Sequence, residues 1–271
     1  MQKSYERLKK QEGIPTVPKE RRIRPIHIWQ SAAAILFLLL ASSVYLSTVG
    51  TKAETDLLQQ YIPIAEMRSL TLPDGTKVQL NSKSTLLYPQ EFTGDSRSVF
   101  LLGEANFKVK PDKKRPFIVK SNDLQITALG TEFNVSAYPE SQEIATTLIS
   151  GSIRVDYNNL TTSVILHPNE QFAYNRNNKK YDLSNPDMDD VTAWQRGELV
   201  LQKMTLTDII NVLERKYPYA FVYSIKNLKN DRFSFRFKDN APLEEVMEII
   251  VNVVGQMDYR IVEDKCYLTR I

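Results

Sequence analysis

The chain has 271 residues, a formal net charge of +3, 42% hydrophobic and 25% charged residues, and one cysteine. That length holds one large or two modest domains, and the composition is ordinary for a folded protein. One cysteine excludes an intrachain disulfide. Two histidines, no glycine-framed serine and no phosphate-cradling glycine loop leave no enzyme site, metal site or cofactor site to assign.

The charge is unevenly placed. Residues 1–25 carry eight Lys and Arg against three Glu, a net +5, which leaves −2 for residues 26–271. The main body therefore lacks the concentrated positive surface of a nucleic-acid-binding domain. Next, Ile28–Val49 runs for 22 residues without Asp, Glu, Lys or Arg. As a helix it would be about 33 Å long, the thickness of a bilayer's hydrocarbon core. Trp29 and Tyr45 suit the two interfaces. Residues 26–49 are thus expected to be a transmembrane helix. Basic residues crowd its N-terminal side and only Lys52 is close on the other, so the positive-inside rule predicts residues 1–25 as a short basic cytoplasmic tail. The remainder would be periplasmic, in a single-pass protein of a bacterial inner membrane. A cleaved signal peptide, with Ala53 near the cut, is the competing reading, but the apolar run exceeds the usual ~7–15 residues. Pro15 and Pro18 limit helix in the tail to a short piece from Ser4 to Gln11.

After an expected linker at 50–63, residues 64–174 read as many short strands. Leu70 and Leu72, then Pro73-Asp74-Gly75, then Val78 and Leu80 make a hairpin signal. The pattern recurs as Val99/Leu101, Gly103-Glu104, Ala105/Phe107/Val109, and as Leu124/Ile126/Ala128, Gly130-Thr131, Phe133/Val135/Ala137. Ile153 and Val155 after Gly151 add another copy. Strands at this spacing imply an all-β sandwich, a barrel or a solenoid-like stack. Residues 175–190, rich in Asn and Lys and containing Asn185-Pro186-Asp187, are expected to be a linker or a long surface connection.

Residues 191–271 change period. Leu206, Ile209, Ile210, Leu213 and Tyr217 fall at helical spacing behind Thr205 as N-cap. Ala220–Tyr223 and the Phe233/Phe235/Phe237 alternation are strand signals, the aromatic row being expected in the core. A second helix runs from Pro242 to Gly255. Tyr259–Val262 and Cys266–Ile271 form a hairpin around Glu263-Asp264, with Cys266 expected as a buried apolar residue. The predicted order is β-α-β-β-α-β-β, so the fold class is a mainly β periplasmic domain, then a small α+β domain, behind one N-terminal transmembrane helix.

These residues carry a resemblance. The runs Leu72-Pro73-Asp74-Gly75-Thr76, Leu102-Gly103-Glu104-Ala105, Arg115-Pro116-Phe117 and Leu129-Gly130-Thr131-Glu132-Phe133-Asn134-Val135 are similar to those of FecR-type anti-sigma factors. Trp194-Gln195-Arg196-Gly197 with Leu213-Glu214-Arg215-Lys216-Tyr217 resembles the C-terminal signalling-like module of many members. The resemblance implies signal transduction in transcription regulation of TonB-dependent transport. An outer-membrane TonB-dependent receptor would touch the periplasmic region through its signalling domain. The regulator would then be cleaved in the membrane, and a sigma factor on the cytoplasmic side would be freed or activated. The family usually has a longer cytoplasmic domain than residues 1–25. Sigma-factor binding by this tail therefore rests on the resemblance, and its charges also serve as topology determinants. The alternative is a membrane-anchored periplasmic scaffold or glycan-binding module without sigma-factor control.

Two sets of site residues follow. Some members of the family split themselves at a Gly-Thr bond in the matching motif, which here is Gly130-Thr131; a plain turn between core strands is the competing reading. The last strand is expected at a sheet edge, where it could accept a partner strand. Leu268 and Ile271 would pack inward, while Tyr267 and Arg270 select the partner.

Overall fold

The computed structural model describes residues 25–50, 56–224, 231–239 and 241–270. Residues 1–24 of the expected tail, together with Lys52, Ala53 and Ile271, lie outside them. The chain divides into two compact units, Met1–Glu54 and Thr55–Ile271.

The first unit contains helix α1 (Pro25–Gly50) over the uncharged run. Its described side chains are residues 29–30 and 33–45, among them Ile35, Phe37, Leu39 and Val44, all exposed. Among the described residues no helix is long and apolar enough to cross a membrane.

The second unit holds two hydrophobic cores. The first lies inside a curled sheet of thirteen strands: β1 (Leu57–Tyr61), β2 (Arg68–Thr71), β3 (Lys77–Leu80), β4 (Thr85–Pro89), β5 (Arg97–Lys108), β6 (Phe117–Lys120), β7 (Gln125–Ala128), β8 (Glu132–Ala137), β9 (Glu143–Ser150), β10 (Ile153–Tyr157), β11 (Thr162–Leu166), β12 (Gln171–Asn175) and β13 (Tyr181–Ser184). Two layers share β5. One runs β1-β4-β5-β6-β7-β10-β11, and the other β2-β3-β5-β8-β9-β12-β13. Their inward rows meet, as where Tyr157 of β10 packs 5.3 Å from Phe172 of β12 between ring centroids. Among the described residues no pairing closes the layers into a barrel, so of the three expected forms the arrangement is a sandwich.

The hairpin at Pro73-Asp74-Gly75 forms as expected between β2 and β3. Asp74 accepts from the Thr76 amide at 2.9 Å and hydroxyl at 2.7 Å. The buried Arg97 guanidinium reaches Asp74 at 2.7 Å and also donates to the Lys110 and Arg115 carbonyls. This ties the turn to β5 and to the start of β6.

Three expected turns are corrected. Gly103-Glu104 lies inside one continuous strand, at the point where β5 passes from one layer to the other. Gly103 has φ +102°, and a Cβ there would sit 2.7 Å from the Ser84 Cα, so only glycine lets β4 approach so closely. Gly130-Thr131 does not close a hairpin either. It carries the chain from β7 in one layer to β8 in the other, and Gly151 does the same between β9 and β10. Two expected linkers also contain strands. Residues 50–63 include β1, whose sequence Leu-Leu-Gln-Gln-Tyr lacks alternation because it is an exposed edge. Residues 175–190 include β13, returned by a turn in which the Asn175 side chain accepts from the Asn177 and Asn178 amides.

The second core belongs to the C-terminal module. A short helix α2 (Met188–Thr192) and a 3-10 turn (Ala193–Arg196) lead into β14 (Leu199–Thr205), α3 (Leu206–Lys216), β15 (Ala220–Val222), β16 (Arg232–Phe237), α4 (Leu243–Val254), β17 (Met257–Val262) and β18 (Lys265–Arg270). From β14 onward the order is β-α-β-β-α-β-β. Thr205 caps α3 by accepting from the Asp208 amide. The buried faces of the two long helices, Ile209/Ile210/Leu213 and Val246/Met247/Ile250, pack with Phe235 and Phe237. Pro242 is the N-cap of α4 rather than its first residue. Cys266 is fully buried, and burial pushes its thiol up to about 11.

Candidate functional site

The layer containing β8 turns a row of polar residues outward. Strand register aligns Gln79, Asn106, Asn134, Thr147 and Gln171 across β3, β5, β8, β9 and β12. Alternation would leave such a row in water. Instead Asn106, Asn134 and Thr147 are all buried, at 6%, 5% and 1% exposure. At Asn134 the cover is the C-terminal module.

Two contacts make this junction. In the first, the 3-10 turn before β14 presents Trp194, whose Nε1 donates to Asn134 Oδ1 at 3.2 Å. Asn134 in turn donates to Glu104 Oε1 at 3.0 Å, and Asn81 donates to Glu104 Oε2 at 2.8 Å. Burial raises the Glu104 pKa above the usual carboxylate value, against the lowering effects of both amides and the Arg215 charge. In the second contact, Arg215 of α3 donates to Glu140 Oε1 at 2.6 Å, and its guanidinium lies 3.8 Å from the Tyr138 ring centroid. The Arg215 carbonyl accepts from the Ala65 amide at 3.0 Å. Tyr138 is itself fixed by donating to the Ser82 carbonyl, and burial raises its hydroxyl pKa. A desolvated cation over a ring gains on the order of 2 kcal/mol. The junction is therefore hydrogen-bonded and charged.

A charged clasp holds the Trp194 turn to its own module. Arg236 of β16 pairs with Asp189, Asp190 and Glu198, and Arg196 with Asp189 and Glu198. Gly197 ends the turn beside Asp239.

Gly130 has φ +149°, and a Cβ there would lie 2.8 Å from the Pro111 Cα. Thr131 is 7% exposed, its carbonyl accepts from the Val109 amide, and its Oγ1 has no hydrogen-bond partner among the described residues. An unsatisfied buried hydroxyl costs about 1–3 kcal/mol. The bond lies three residues before Asn134 on the way into β8.

The expected terminal edge is not where the last strand lies. β18 is the middle strand of β15-β18-β17, because β15 returns parallel to it along Lys265–Tyr267. Leu268 is buried in the module core, and Arg270 is exposed and within 3.5 Å of Gln256. The Tyr267 ring faces the Arg260 guanidinium at 5.6 Å. Ile271 lies outside the described residues. Among the described residues the outer strands of this sheet are β17 and β15.

Sequence reasoning missed Glu104, Asn134, Tyr138, Glu140 and Arg215. Glu104 and Asn134 sit inside the motifs already singled out, but their polarity reads as solvent-facing. Among the described residues no group of His, Cys, Asp or Glu could hold a metal ion.

Comparisons with known proteins meet at the same two regions. Residues 62–154 match the family described as FecR protein, and residues 198–268 match the one described as FecR, C-terminal. No curated protein shows a significant match. A crystal structure of a protein assigned as an anti-sigma factor from Parabacteroides distasonis ATCC 8503, at 2.50 Å resolution, superimposes with a TM-score of 0.75. The two are 34% identical over 80% of this chain and 100% of that one. A second structure so assigned from the same organism, at 1.65 Å, gives 0.74 and 34% over 79% and 99%.

Proposed function

The chain belongs to the FecR family, and from that membership we propose that it is a regulator of the anti-sigma-factor type, relaying a signal from outside the inner membrane to a cytoplasmic sigma factor. The observation that carries the reading is the pairing of a FecR-matching sandwich with a FecR C-terminal module through a polar junction. Interfaces of this kind between parts of one chain are of the releasable sort. The incoming signal is the signalling domain of an outer-membrane TonB-dependent receptor, docking on the C-terminal module. Its docking shifts the balance at Trp194 and Arg215, and the sandwich passes the change toward the N-terminus.

Helix α1 is the membrane anchor in this account. The anchor rests on the sequence: the uncharged run Ile28–Val49, as a helix, has the length of a bilayer's hydrocarbon core. The excess of basic residues before it supports a cytoplasmic side for residues 1–25 and a periplasmic side for the sandwich and module.

Gly130-Thr131 is proposed as a self-cleavage bond. The Thr131 hydroxyl adds to the Gly130 carbonyl carbon, the C–N bond breaks, and the amine takes up the hydroxyl's proton to leave an ester. Water then opens the ester, giving a Gly130 carboxylate and a Thr131 N-terminus. The Thr131 hydroxyl, unpartnered among the described residues and next to the Gly130 carbonyl, supports this, since an unsatisfied buried polar group marks a place that asks for a role.

Topology is tested with alkaline phosphatase, which is active only when exported. A fusion at Lys180 is expected to be active and one at Lys19 inactive. The reverse pattern, or recovery of the chain as a soluble protein, contradicts the anchor.

A further inference from the structure

At one end of the sandwich the hairpin turns β6–β7, β10–β11 and β12–β13 converge on a cleft of about 430 Å³. That volume lies in the range of small-ligand sites. Register lays Phe100, Lys120 and Gln125 side by side along its floor on the outer face of β5, β6 and β7. The β10–β11 turn forms one wall with Asn158, Asn159 and Leu160, and Lys179 of the β12–β13 turn borders another side. None of these residues takes part in the junction or in the Gly130-Thr131 corner.

The wall is held in a costly conformation. Asn158, Asn159 and Leu160 have φ of +50°, +56° and +64° in succession. Asparagine tolerates the left-handed region, but leucine does so rarely, and such residues persist where a site needs them. Leu160 gains no burial in return, being 55% exposed at the rim. The turn is nonetheless pinned, because the Tyr174 hydroxyl bonds Asn158 Oδ1 at 3.1 Å.

The lining also has a consistent chemistry. Asn122, Gln125 and Asn159 offer carboxamides, each both donor and acceptor, which is what a sugar hydroxyl requires. Phe100 and Leu160 supply apolar surface for the C–H face of a ring. Charge is in excess on the positive side. Asp123 is the one carboxylate among the lining residues and is already engaged by Arg176 at 3.0 Å, with Lys179 at 3.9 Å, while no ion pair of Lys120 is present among the described residues. Carboxamides, apolar patches and a local excess of positive charge, with Lys120 outside any ion pair among the described residues, together suit a hydroxyl-rich ligand that carries a carboxylate. We propose that this cleft binds an acidic saccharide, adding a glycan-sensing site to the regulator.

The test uses the full chain in detergent, titrated by calorimetry with N-acetylglucosaminyl-N-acetylmuramic acid and, as a neutral comparator, N,N′-diacetylchitobiose. Saturable binding of the acidic disaccharide is expected, with affinity about tenfold above the neutral one, since a charge-assisted hydrogen bond is roughly twice as strong as a neutral one. The double variant Lys120→Ala/Lys179→Ala is expected to lose that tenfold preference while keeping its melting temperature. Leu160→Gly relieves the left-handed strain, so it is expected to melt no lower than the parent and yet bind more weakly. No saturable binding of the acidic disaccharide, or equal affinity in the double variant, overturns the proposal.

Discussion

Thr131 shows how one residue can be named from sequence while its surroundings stay hidden. The Gly-Thr pair was legible as a place where the chain must change direction, because glycine punctuates alternating apolar runs there. What sequence could not give was the crossing between layers, the Pro111 contact behind Gly130, or the burial of a hydroxyl without a partner. Arg97 was illegible for a related reason: an arginine in a strand reads as outward and solvated, yet here it is buried at 1% exposure against Asp74. The proposed chemistry at Thr131 has a direct check in intact-mass measurement of the purified chain. Two fragments that meet at Gly130-Thr131 are expected, and Thr131→Ala is expected to give one full-length mass. A parent chain that is full-length and unchanged by Thr131→Ala ends the idea.

At the level of elements, alternation located most strands and the two long helices of the module, because each buries one face on a core. It could not say which strands pair. Long-range pairing put β18 between β15 and β17, although its place at the chain end suggested an edge. Nor could alternation reveal the junction, where Asn134, on the outward half of the pattern, meets Trp194 of the second module. The junction makes two predictions. Trp194→Phe removes one N–H and leaves Asn134 Oδ1 without its donor, at a cost of about 1 kcal/mol or more. Hydrogen exchange in α2 and the following 3-10 turn is then expected to rise about fivefold if that segment opens locally. Unchanged protection there means Trp194 does not hold the contact.

Glu104 supplies the second, through pH. Its folded-state pKa is raised above 4.5, mainly by burial, so the folded chain holds this proton more tightly than the unfolded one. That contribution is complete below about pH 4.5 and is lost as pH rises through the raised value. Glu104→Gln does not titrate. The melting-temperature difference between parent and variant is therefore expected to move in the variant's favour as pH climbs from 4.5 to the plateau. A difference that is flat across that interval contradicts a raised Glu104.

For the whole molecule, the Thr55–Ile271 unit holds two cores joined by a polar contact. The order of motifs carried the family and the mainly β character in the sequence alone. Relative placement was illegible, since it depends on contacts between residues 60 or more positions apart, such as Asn134 with Trp194 and Glu140 with Arg215. The central claim is that events at this body govern a sigma factor held at the other end of the chain. It is tested most directly by installing a photo-cross-linking amino acid at positions along residues 1–24, such as Tyr5 and Gln11, in cells of the native host. The account predicts an adduct containing an RNA polymerase sigma factor, diminished when the cognate outer-membrane receptor is engaged. Absence of a sigma-containing adduct at every tail position, with the chain present at normal level, would contradict it.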